Sequence, residues 1–264
     1  MAKVAIIGAG LIGRAWAVAF ARAGHEVALT DNDATAVEKA LAFADGALKD
    51  LQRYDLLEGS TPREVRGRLH AVTGLADALS GAIHVQENAP ERLEVKRALY
   101  AELDRLADPA VVERTAAFMR AAGQAPIVMK REIDGFVVNR LQGALLQEAF
   151  RLVADGYASC EDVDIALREG LALRWSFMGP FETIDLNAPE GVRDYVERYA
   201  GLYEGLFESQ RRRADWKGPV LEEIERQRRQ HLKREDLGRR HGWRDRRLMA
   251  LAAHQRAAAR DITD

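Results

Sequence analysis

Residues 3–13 read KVAIIGAGLIG, and the fold turns on how this stretch is understood. KVAII is a short apolar run that stops at a glycine, the pattern of a buried strand. Glycines then fall at positions 8, 10 and 13, and AWAVAFARAG (15–24) follows with helical periodicity and a closing Gly24. A glycine triplet alone is common, but between a strand and a helix it has a mechanical meaning. Gly8 permits the tight turn, Gly10 lets the backbone approach a pyrophosphate, and Gly13 lets the helix lie close to the strand. The helix N-terminus then offers free N–H groups and a positive dipole end to phosphate oxygens. Leu11 and Ile12 are expected to lie under the bound group through their backbones.

Working outward, HEVALTD (25–31) forms a second strand that ends in Asp31. That is the spacing of a ribose-binding acid, whose carboxylate accepts hydrogen bonds from a 2′-hydroxyl and repels a 2′-phosphate. NAD is therefore the expected cofactor, in preference to NADP. Asn32 or Asp33 is a suitable cap for the long helical stretch that follows.

Beyond it, a Ser-Thr-Pro helix start, a short strand around HAVT (70–73), a small helix and a further strand in GAIHVQENAP (81–90) continue the alternation. ERLEVKRALYAELDRL (91–106) and AVVERTAAFMRAAG (110–123) are both helical, and APIVM (125–129) has the composition of a last strand. From Ile133 almost everything is helical. The expected fold class is thus α/β: a truncated Rossmann-type, doubly wound parallel sheet over residues 1–131, followed by an all-α C-terminal domain over 132–264.

The chain has 264 residues, 47% apolar and 30% charged, enough for a globular core. One cysteine, Cys160, excludes an internal disulfide and fits a reducing, cytoplasmic setting. No apolar run approaches the ~18–20 residues of a membrane span, and strand-like sequence begins too early for a signal peptide. The net charge is −2, yet residues 211–260 hold 16 basic and 7 acidic residues. These alternate in LEEIERQRRQHLKRED (221–236), the pattern of solvated helix faces, and no nucleic-acid partner is expected. No metal site is expected either.

Several stretches together, GAGLIGRAWAVAFA (8–21), HVQENAPERLEVKRALYAELD (84–104), residues 111–153 with FVVNRLQ, GLALRWSFMGPFETIDLN (170–187) and GWRDRRLMALAAH (242–254), resemble the 3-hydroxyacyl-CoA dehydrogenase family. The likeness is strongest to its branch of L-gulonate 3-dehydrogenase and lambda-crystallin. The resemblance implies oxidation of a secondary alcohol by hydride transfer to NAD, in a homodimer joined through the helical domains. It also implies a cofactor-side role for Glu91 and Lys96 and a catalytic, substrate-holding role for Asn139. A small, polar hydroxy acid is the substrate it suggests. Arg174, in LRW, offers a guanidinium fork suited to that acid's carboxylate.

One part of the family layout is missing. Its strand with a substrate-binding serine, the His-Pro-x-Asn-Pro motif with the general base, and the glutamate that orients it are absent. LADP (106–109) runs directly into AVVERT (110–115). On the order of fifty residues are lacking, what two strand–helix units would need. None of the six histidines is an obvious replacement, and His84 is expected to point into a packed layer. The fourth strand would be left as a sheet edge, and APIVM is expected to pair with it.

Overall fold

The computed structural model describes residues 2–89, 112–131 and 133–262. Glu91, Lys96 and the junction at Asp108-Pro109 lie outside the described residues. By its internal contacts the chain forms two compact units, Met1–Lys130 with Arg244–Asp264, and Arg131–Trp243.

The first unit is built on a four-stranded parallel sheet in the order β3-β2-β1-β4, where β1 is Lys3–Ile7, β2 Glu26–Thr30, β3 Leu69–Ala71 and β4 Ala82–Glu87. Between the strands run α1 (Leu11–Arg22), α2 (Ala34–Arg53), α3 (Pro62–Gly67) and α4 (Leu75–Leu79); α5 is Val112–Ala121. β1 shows why the apolar run forms a central strand. Its alternate side chains feed two cores, Val4 and Ile6 with α1 and α2, Ala5 and Ile7 with Ala78 and Leu79 of α4. A strand buried on both faces carries no polar side chain along its centre.

Local chemistry sets the helix ends. Asp33 caps α2, its Oδ1 accepting from the backbone N–H of Thr35 at 2.9 Å. Thr61 and Glu64 close a reciprocal capping box on α3, with Pro62 in its first turn. On the α1 side of the sheet, Trp16, Phe20, Phe118 of α5 and His84 of β4 form a continuous aromatic row with centroid spacings of 5.0–5.7 Å. His25 also packs on Phe118, at 4.9 Å.

The expected pairing of APIVM with the fourth strand does not occur. The sheet ends at β4 among the described residues, and residues 125–129 form neither helix nor strand and join no ladder. Pro126 has no N–H to donate in the middle of such a strand. Ile127 and Val128 are more than half exposed, so the segment's apolar composition reflects no burial within the described structure.

The second unit contains α6 (Phe136–Ala154), α7 (Cys160–Ile165), a π-helical segment (Ala166–Leu171), α8 (Ala172–Trp175), α9 (Pro180–Leu186), α10 (Val192–Gln210) and α11 (Pro219–His231). A 3₁₀ turn at Arg234–Asp236 leads into α12 (Leu237–Asp261), which begins in this unit. From Arg244 onward α12 belongs to the first unit, where Met249 and Ala253 pack on its core and Arg256 pairs with Glu58 at 3.4 Å.

The second unit buries little of its own apolar surface. Val153, Cys160 and Val220 form a small core with Phe150, Val163 and Ile224. Gln227 braces it, accepting from the Cys160 N–H at 2.7 Å and donating to Glu223, whose carboxyl Arg226 and Gln227 together lower to about 2.

Candidate functional site

The carboxyl ends of β1, β2 and β4 converge on the glycine turn. Gly8 lies at φ +89°, a left-handed conformation that suits glycine, and its N–H donates to the Thr30 carbonyl at 2.9 Å. A Cβ on Gly8 would come within 2.9 Å of the Asn88 backbone just past β4. A Cβ on Gly13 would sit 1.8 Å from the Gly8 carbonyl oxygen, an impossible approach. Gly10 differs from both: nothing lies within 4 Å of where its Cβ would be. The fold itself thus requires Gly8 and Gly13, whereas Gly10 faces open space at the N-cap of α1.

No side chain caps α1. Its first N–H groups have no partner within the helix, and they stand beside the open side of Gly10. Leu11 and Ile12 are about two-thirds exposed at the mouth of this cradle. An exposed apolar pair next to uncapped N–H groups fits the underside of a dinucleotide.

Asp31 closes the other side. Its Oδ2 accepts from the Ala9 N–H at 2.7 Å and its Oδ1 from the Asp33 N–H at 2.9 Å. The two bonds orient the carboxylate against the turn, and each oxygen keeps a lone pair for a ribose hydroxyl. The sequence signals the acid, but the bond from Ala9 shows it also braces the glycine turn. Asn88, which sequence reasoning missed, shapes the third wall; its N–H donates to the Ile7 carbonyl at 2.8 Å and its side-chain amide to the Gln86 carbonyl at 3.1 Å. It belongs to no motif, and its role follows only from the pairing of β4 with β1.

Among the histidines of the sheet, none stands at this mouth. His70 lies in β3 with its Nε2 2.6 Å from Glu26. His25 precedes β2. His84 lies opposite Val4 in the ladder and packs on Phe20 and Phe118. Burial lowers the affinity of both His25 and His84 for a proton, and each has a buried ring nitrogen without a hydrogen-bond partner. These are neutral packing groups. His231 ends α11, and His241 and His254 lie on α12.

The two expected substrate residues lie in the helical unit. Asn139 is exposed on the first turn of α6, just after the left-handed pair Gly135 and Phe136. Arg174 is half-buried on α8. The π segment immediately before α8 widens the helix by about one residue per turn, which rotates every following side chain by roughly 100°.

The sequence model for the NAD binding domain of 3-hydroxyacyl-CoA dehydrogenase matches residues 3–117, and that for its C-terminal domain matches residues 135–231. The chain belongs to the 3-hydroxyacyl-CoA dehydrogenase family. Lambda-crystallin of Oryctolagus cuniculus is 33% identical over 307 aligned residues, covering 96% of each chain. L-carnitine dehydrogenase of Streptomyces coelicolor is 33% identical over 72% of this chain and 74% of its own. A solved 5-formyl-3-hydroxy-2-methylpyridine 4-carboxylic acid 5-dehydrogenase shares the fold, with a TM-score of 0.78 at 23% identity over 97% of this chain and 99% of its own.

Membership in this family makes the protein an NAD-dependent oxidoreductase by type, and the glycine cradle with Asp31 fits the cofactor. The rabbit alignment takes in 96% of a 264-residue chain yet extends over 307 positions, so roughly fifty positions have no counterpart here, the size of two strand–helix units. Among the described residues no helix is long and apolar enough to cross a membrane.

Proposed function

We propose that this family member oxidises the hydroxyl of a small, polar 3-hydroxy acid of the L-gulonate class, working in the cytoplasm as a homodimer joined through its helical unit. The observation that carries this is the intact cradle at Gly8–Gly13, with Asp31 fixed by two backbone N–H groups. The bound NAD would supply the hydride acceptor. The backbone of residues 10–13 and the Asp31 carboxylate hold it in place, and Asn139 and Arg174 hold the substrate. A small substrate is favoured by the L-carnitine dehydrogenase among the relatives.

The dimer is supported by surface chemistry. Phe136, Val138, Leu141, Phe177, Phe181 and Leu202 are each 60–79% exposed in the helical unit, more apolar surface than a monomer ordinarily leaves in water.

A second reading has its own support. No sheet histidine stands at the cofactor mouth, and the family segment that resemblance assigns the base is absent. A positioned base contributes about 10²–10⁴-fold to such a reaction. A chain that keeps the cradle without the base would bind NAD and dimerise without turnover.

The test is NADH formation by purified protein, followed by absorbance, with L-gulonate and a panel of 3-hydroxy acids and acyl-CoAs. Slow turnover on L-gulonate that disappears in Asn139→Ala supports the dehydrogenase. NAD binding without turnover on any substrate supports the non-catalytic protein.

A further inference from the structure

Asn88 stands where β4 meets the two glycines that the turn requires. Its N–H continues the β1–β4 ladder by one residue, donating to the Ile7 carbonyl at 2.8 Å. Side chains alternate along a strand. Asn88 therefore shares the α1 side of the sheet with Gln86 and with His84, whose ring packs on Phe20 of α1 at 5.4 Å. A Cβ on Gly8, just past β1, would lie 2.9 Å from the Asn88 backbone. A Cβ on Gly13, in the first turn of α1, would lie 3.4 Å from the Asn88 side-chain nitrogen. One residue thus bears on the strand side of the turn with its backbone and on the helix side with its amide.

The amide is held in that place. Its Nδ2 donates to the Gln86 carbonyl at 3.1 Å, and its Oδ1 accepts from the Gln86 side chain at 3.4 Å. The next residue is pinned as well, with the Ala89 N–H donating to the Glu87 carboxylate. The end of β4 is therefore a fixed stop against which α1 begins. The first N–H groups of α1 have no side-chain cap, and hydrogen bonds weaken steeply when donor and acceptor are misaligned. How well those N–H groups meet a phosphate depends on where the first helical turn rests.

We propose that Asn88 is a positioning residue for the cofactor: its amide, wedged between Gln86 and Gly13, sets the distance of the first turn of α1 from β4 and so aims the helix N–H groups at the pyrophosphate. It acts through the glycine turn and not by contact with NAD. Asp31 and Asn88 then serve different parts of the dinucleotide. Asp31 meets the ribose with its own carboxylate, whereas Asn88 governs the diphosphate. The two contributions are separable with fragments of the cofactor.

The experiment is isothermal titration of wild type and variants with NAD and with ADP-ribose, and titration by NMR with adenosine, which has the ribose but no phosphate. Asn88→Ala removes the wedge. It is expected to weaken NAD and ADP-ribose about tenfold, the worth of a well-aligned hydrogen bond to a charged group, and to leave adenosine within about twofold. Its thermal midpoint should fall by no more than about 4 °C. Asn88→Ser, too short to reach Gly13, should behave as Asn88→Ala and serves if the alanine variant does not fold. Asn88→Leu refills the space beside Gly13 with a side chain of similar size, and should bring NAD back to within about threefold of wild type. If NAD binds Asn88→Ala and Asn88→Ser as tightly as wild type, the proposal is overturned. Equal weakening of NAD, ADP-ribose and adenosine overturns it too, since that is the signature of a loosened fold. A leucine variant that binds NAD no better than the alanine or serine variant contradicts the wedge.

Discussion

The two units solve burial differently. In the α/β unit β1 is covered on both faces, and Val4, Ala5, Ile6 and Phe20 are wholly inaccessible. In the helical unit the small core of Val153, Cys160 and Val220 is the one cluster of buried apolar side chains among the described residues, while α6, α9 and α10 hold large apolar side chains in water. The sheet unit closes its own core even though it stops at the fourth strand. The helical unit leaves large apolar faces in water, the surface on which the proposed dimer rests. Loss of the later strands therefore leaves the cofactor cradle standing, because the cradle depends on β1, β2 and β4 and not on anything beyond them.

The α/β unit is most vulnerable at Gly13. Gly13→Val places a side chain into the Gly8 carbonyl, so it should cost roughly 4 kcal/mol or more and abolish NAD binding, measured by thermal denaturation and cofactor titration. The helical unit should respond in the opposite way. If the proposed dimer forms, Leu141→Glu with Leu202→Glu should convert it into monomers in sedimentation while leaving NAD affinity within about twofold, since neither residue belongs to the cradle. A protein that remains dimeric with both changes would show that the exposed faces are not the contact.

A smaller effect tests local order in the sheet unit. Asp33→Ala removes the cap of α2 and should cost about 1 kcal/mol in denaturant unfolding, without changing oligomeric state. The smallest effect is confined to acid pH. Burial holds His84 neutral among Phe20, Phe118, His25 and Gln86, with a folded proton affinity below the ordinary value near 6.5. Above that value both folded and unfolded rings are neutral. Below it the unfolded ring takes up a proton that the folded ring resists, so stability falls as pH falls. His84→Phe should flatten this slope below about pH 6.5, and an unchanged slope would assign it to other groups.

The cradle was legible in the sequence because it is a backbone device: Gly8, Gly13 and Asp31 act within one strand–turn–helix and its neighbour, at fixed spacing. The strand assignment of APIVM failed for a reason visible in its own letters, since Pro126 breaks a ladder whatever the flanking apolar residues favour. The return of residues 244–264 to the α/β unit was not legible. Amphipathic helical periodicity shows that a face is buried, not which core it meets. The pairing of Tyr195 with Tyr203 was also hidden, because the two lie two turns apart on α10 and their phenols meet along its surface. Asn139 and Arg174 were reached through resemblance and through side-chain chemistry, and both lie in the helical unit.

The most direct measurement is a titration of wild type and Asp31→Ala with NAD and with NADP. Wild type should bind NAD and bind NADP at least about tenfold more weakly, with Asp31→Ala weakening NAD and narrowing the gap, as expected when a carboxylate accepts from the ribose and repels a 2′-phosphate. Equal binding of the two cofactors, or binding of neither, would contradict a working NAD site in the shortened sheet.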